Sequence, residues 1–152
     1  MLSKIYTFIC DVRRFEYVIG FVALTILFAI PIGFIRHSVN DKSGFSSDSV
    51  FVVFFFGIII GPLLETFLFF YLPDKLGRKF NVSEGNKLIS ITVLFGFWHA
   101  YSILYIFDAM ITGVLWFYAY KFSIKRRENA FVNVMLIHSI YNSTIMLFSY
   151  FA

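Results

Sequence analysis

Apolar residues in this chain fall into long runs, and the charged residues cluster between them. Residues 17–35 carry no charge at all, and residues 49–72 are apolar except for Glu65. Residues 88–122 form a mostly apolar stretch too long for one membrane helix. It suits a tight hairpin of two short spans that turns near residues 101–108. Residues 131–152 form the last run. A helix needs about 20 apolar residues to cross about 30 Å of hydrocarbon, so the pattern predicts five spans. Residues 1–16 interleave Leu2, Ile5, Phe8, Ile9 and Val12 with Lys4, Arg13 and Arg14, which predicts a segment lying along the interface. The expected fold is all-α: a multi-pass transmembrane helical bundle forming one integral membrane domain over residues 1–152, without linker or internal repeat.

Composition strengthens this reading. Of the 152 residues, 59% are hydrophobic and 14% charged, against about 45–50% and about 25% in soluble domains. A soluble fold of this size has too little interior to hide the excess. That excludes a soluble nucleic-acid binder, a disordered tail and a disulfide scaffold, the last also because Cys10 stands alone. The first apolar run lacks a small-residue cleavage site, so it reads as a retained span. The net charge of +4 then belongs to loops beside a bilayer. Alternating the spans places all but two of the 13 Lys and Arg residues on one side, Arg36 and Lys42 being the exceptions. The positive-inside rule makes this a cell-membrane protein with a cytoplasmic N-terminus and an external C-terminus.

Few polar groups fall inside the spans, and each is costly there unless it has a task. They are Glu65, His99, His138 and Asn142. Counted from the expected span ends, they lie about 10–17 Å deep, on three helices, within about one to two helical turns of each other. Asp108, at the expected hairpin turn, and His37, in a loop, read as solvated. His138 and Asn142 are four residues apart and share a helix face, as do Phe95 and His99. Gly57, Gly61 and Pro62 precede the glutamate and permit close helix approach and a bend. A carboxylate beside two imidazoles can hold a water and take its proton. An asparagine amide and an imidazole can donate to a developing oxyanion. Together these groups could hydrolyse an amide without a nucleophilic Ser or Cys. Singly, each has another reading: Glu65 as a protonated acid bonded to a carbonyl, His99 as a packing residue, Asn142 as interhelical glue.

These residues resemble the CPBP intramembrane proteases, which include type II CAAX prenyl proteases and the bacterial Abi or bacteriocin-immunity proteins. The family pattern is E-E-x-x-x-R, then F-x-x-x-H, then H-x-x-x-N on successive helices. Phe95 to His99 and His138 to Asn142 match the second and third motifs. The first is partial: Glu65 is present, but Thr66 replaces the second glutamate and Phe70 the arginine. The likeness covers residues 50–150. It implies a helical bundle with a conical cavity open toward the cytoplasmic side or the lipid, and an intramembrane endopeptidase acting on a peptide or membrane-protein segment. Glu65 would be the general base, His99 would orient the water, and His138 with Asn142 would bind the oxyanion. The family is often labelled metalloprotease, and Glu65, His99 and His138 could ligate Zn²⁺. A metal-free mechanism fits equally, and no obligatory cofactor is expected.

Two other readings remain open. Because Thr66 and Phe70 break the first motif, the protein could keep the fold without catalysis and serve in bacteriocin self-immunity or regulation. Two imidazoles and a carboxylate at one depth could also serve a bis-histidine haem or a proton relay.

Overall fold

The computed structural model describes residue 9, residues 11–41 and residues 49–151, the side chains of residues 50 and 149–151 aside. The interfacial segment expected over residues 1–16 lies mostly outside them. Among the described residues from 14 onward, five helical stretches follow one another: α1 at Arg14–Ser38, α2 over residues 50–79, α3 at Glu84–Trp98, α4 at Ile103–Lys125 and α5 at Ala130–Phe151. Four are long and apolar enough to span a membrane, namely α1, α2, α4 and α5. The other expected span, α3, has 15 residues, or about 22 Å of helix. Phe34, Phe51, Phe97 and Phe148 are exposed, as suits faces turned to lipid.

The polar connections fix the helix ends. Ser83 and Ser102 accept hydrogen bonds from the amides of Asn86 and Tyr105, and Asn129 accepts from Val132. These are side-chain N-caps for α3, α4 and α5. At the other ends, α1, α2 and α4 close alike. Asn40, Asn81 and Arg127 take positive φ of 53°, 53° and 59°. The next amide reaches back across the turn: Asp41 to Arg36 O, Val82 to Gly77 O and Glu128 to Ser123 O. This is the Schellman arrangement, and two of the three left-handed residues are Asn, which tolerates that conformation.

The hairpin turns earlier than the sequence pattern suggests. The turn is at residues 99–102, and α4 starts at Ile103. Asp108 is therefore inside α4, not on a solvated turn, because Ser102 caps a new helix before the run of apolar residues ends. His37 lies in the last turn of α1 and not in a loop. Residue 72 is not the end of α2 either. The helix continues to Lys79, so Glu65 sits near its middle.

Helix α4 is central, packing on α3, α5 and α1, while α2 packs on α5 and α3. Glycines set the α3–α4 approach. A Cβ on Gly96 would stand 3.2 Å from the Ile106 carbonyl, and one on Gly113 would stand 3.3 Å from the Phe95 ring. Trp116, Phe70, Phe95, Ile137 and Val134 fill the core. At the end carrying the α2–α3 and α4–α5 connections, Asp74 is fully buried and ion-paired to Arg78 at 3.1 Å, Lys87 at 3.6 Å and Lys121. Lys87, expected in a solvated loop, is itself buried. It lies over Gly77, where a Cβ would meet its methylenes at 2.5 Å.

Candidate functional site

The local sequence of α2 explains the geometry around Glu65. The helix is π-helical at Val53–Ile60, α-helical at Gly61–Glu65 and π-helical again at Thr66–Tyr71. In the first π segment the Gly61 amide bonds to Phe56 O, five residues back. The next bond in that register would run from residue 62 to Gly57 O, but Pro62 has no N–H to give. The Gly57 carbonyl is thus left over, and the Asn142 side-chain amide of α5 donates to it at 2.7 Å. Gly61 is obligatory here, since a Cβ would come within 2.7 Å of Phe56 O. Single turns of π-helix inside α-helices often mark functional sites.

Glu65 Oε2 faces two imidazoles, His99 Nε2 at 3.4 Å and His138 Nε2 at 3.7 Å. His99 caps the C-terminal end of α3. Its Nδ1 lies 2.8 Å from Phe95 O. A carbonyl accepts only, so Nδ1 carries hydrogen and donates. The Nε2 side then meets the carboxylate, where a proton on either group, or a water between them, satisfies both. The Phe95 ring also packs against the His99 ring, tilted by 52° with centroids 4.6 Å apart. His138 is buried against Trp116, with ring centroids 4.2 Å apart. Two polar atoms in this corner are buried without a hydrogen-bond partner: Glu65 Oε2 and His138 Nδ1.

All four residues singled out in the sequence line one cavity of about 170 Å³, together with Asp108 and Trp116. Its walls come from α2, α3, the 99–102 turn, α4 and α5. The lining is confined to the half of the bundle nearer the 99–102 turn. Toward the opposite end, Phe70, Thr66, Val134 and Ile137 are packed solid. Asp108 and Tyr105 are cavity residues that the sequence reading missed. The available signal was Ser102 as an N-cap, followed by Asp108, Thr112 and Trp116 at four-residue spacing on one face of α4. Thr66 and Phe70, which replace the family's charge pair, are both fully buried. The Phe70 ring packs 5.7 Å from Phe95 and 6.4 Å from Trp116. Among the described residues, no group of three or more His, Cys, Asp or Glu is arranged to hold a metal ion.

A bundle of apolar helices enclosing a carboxylate and two imidazoles defines a class, the helical membrane proteins with a polar interior cavity. Comparison with protein families is more specific: residues 46–144 match the type II CAAX prenyl endopeptidase Rce1-like family, and the chain belongs to it. No curated protein and no solved structure matches the chain.

Proposed function

We propose that this protein is an intramembrane endopeptidase that hydrolyses a peptide bond with a water activated by Glu65. One observation carries the reading: Glu65 Oε2 lacks a hydrogen-bond partner yet faces His99 at 3.4 Å and His138 at 3.7 Å in the wall of a cavity. A buried carboxylate oxygen with an open position is where a water would be held. Glu65 takes a proton from that water as the oxygen attacks the scissile carbonyl. His99, oriented by its bond to Phe95 O, holds the water in place, and Glu65 then gives the proton it took to the leaving amine. His138 and the second N–H of Asn142 donate to the oxyanion, the first N–H being held by Gly57 O. No metal is obligatory in this scheme. The donor set would suit Zn²⁺ chemically, but these side chains are not grouped as its ligands. The substrate is a peptide or membrane-protein segment; the N-terminus is cytoplasmic and the C-terminus external, which puts the 99–102 turn and the cavity in the external half of the bundle and not toward the cytoplasmic side that the resemblance implies.

The test is cleavage of a panel of membrane-soluble peptides by the purified protein. Glu65→Gln and His99→Ala should each reduce the rate about 10²–10⁴-fold, with helicity and melting unchanged. Full activity in either variant rejects the scheme.

A second reading draws on Phe70 and Thr66. An apolar ring fills the place of the family's arginine, and exchange of a buried ion pair for packing keeps a bundle stable. The fold would then act without chemistry, as in bacteriocin self-immunity. That reading gains if Glu65→Gln protects cells as well as wild type does.

A further inference from the structure

The cavity holds a second carboxylate that the hydrolytic scheme does not use. Asp108 lines it from α4, one turn along from the Tyr105 ring. It makes no hydrogen bond or ion pair among the described residues. Its surroundings explain why. The charges of Arg36 and His99 reach it without bonding it, and Arg36, at the end of α1, is taken up by Asp41 at 3.3 Å and by the Tyr105 ring at 4.6 Å. Asp41 in turn accepts from Ser102 at 2.6 Å. Glu65 is placed differently, its Oε2 facing two imidazoles. Among the described residues no Lys or Arg lines the cavity, whereas Tyr101, Tyr105 and Tyr141 do. The site thus presents a carboxylate without a hydrogen bond or ion pair beside the Tyr101 and Tyr141 rings, and both features attract cations.

Resting on the reading of this cavity as the substrate site, we infer that Asp108 is a specificity-determining residue that receives a cationic side chain or free amino group of the substrate. The cation enters at the 99–102 turn, seats its alkyl stem against the tyrosines, and places the chain that carries it beside Glu65 and His99. A neutral side chain of equal length leaves Asp108 unpartnered and binds less well.

The test uses binding, so it does not depend on turnover. Butylammonium and butanol, of similar size and opposite charge character, are titrated into the detergent-solubilised protein at neutral pH, with melting temperature as readout. Butylammonium should bind wild type more tightly than butanol. Asp108→Asn should weaken butylammonium about tenfold or more and abolish the preference, whereas Asp108→Glu should retain it. Glu65→Gln should keep the preference while losing hydrolysis, which separates this proposal from the catalytic one. Equal binding of the amine and the alcohol to wild type, or wild-type amine affinity in Asp108→Asn, overturns it. So does loss of the preference in Glu65→Gln with Asp108 intact.

Discussion

At the scale of single residues, the site depends on groups that are small as much as on groups that are polar. Gly57 and Gly61 look interchangeable in the sequence, but the backbone separates them. A Cβ at Gly61 meets the Phe56 carbonyl at 2.7 Å, while one at Gly57 meets nothing within 4 Å. Gly61→Ala should therefore destabilise the protein by about 1–3 kcal/mol. Gly57→Ala should be neutral or slightly stabilising, since Ala is the better helix former. Melting of the two variants in one detergent checks both, and equal melting points would contradict the assignment of the π turn. Glu65, His99, His138 and Asn142 were legible because polar groups inside an apolar span are few and each stands out. Asp108 was not, because its position relative to the hairpin turn decides whether it is solvated or enclosed. The uninterrupted apolar run hides that turn.

Among the elements, α2 carries the most information. Pro62, the freed Gly57 carbonyl and the Asn142 amide form one chain of cause. The glue reading and the cavity reading of Asn142 describe the same side chain, which braces α2 through its amide and also lines the cavity. Asn142→Ala should cost about 1–2 kcal/mol, because it leaves a part-buried carbonyl without its side-chain partner. In a Pro62→Ala background the new amide can serve Gly57 O, so the cost of Asn142→Ala should shrink there. A double-mutant cycle measures this coupling, and strict additivity would contradict it. The apolar pattern located α2 but not its π segments. Those follow from the missing proline N–H and from contacts across to α5, which no local pattern records. Likewise the early start of α4 follows from one serine cap.

For the whole molecule, hydrophobic patterning was sufficient to predict a helical membrane bundle, because four runs are long and apolar enough to admit little else. It could not reveal the ionic cluster at the end opposite the cavity mouth. Asp74 and Lys87 read as loop charges, and their burial depends on α2 continuing past residue 72 and on Gly77 making room. Asp74→Ala leaves Lys87 and Lys121 only the exposed carboxylate of Glu84, at 2.5 Å and 2.7 Å, and should cost about 1–3 kcal/mol. A melting loss under about 1 kcal/mol would show that the cluster is solvated instead. The α4–α5 connection gives a pH signature. Burial pushes the Glu128 carboxyl up, but hydrogen bonds from Arg126 and Asn133, with the charges of Arg126 and Arg14, outweigh it. They hold Glu128 below its ordinary 4.5. A carboxyl lowered on folding stabilises fully above that value, and the contribution is lost as pH falls through the folded one. Stability of wild type should thus drop on acidification below about 4.5, and Glu128→Gln should flatten that part of the curve. Superimposable acid titrations would contradict it.

The account turns on whether a solvent water, activated at Glu65, cleaves the peptide bond. Single-turnover cleavage in water enriched in oxygen-18, followed by mass spectrometry of the products, measures this directly. The wild-type protein should place one heavy oxygen in the new carboxylate, and Glu65→Gln, folded to the same extent, should form almost no product. Unlabelled product from wild type, or labelled product formed as fast by Glu65→Gln, would contradict it.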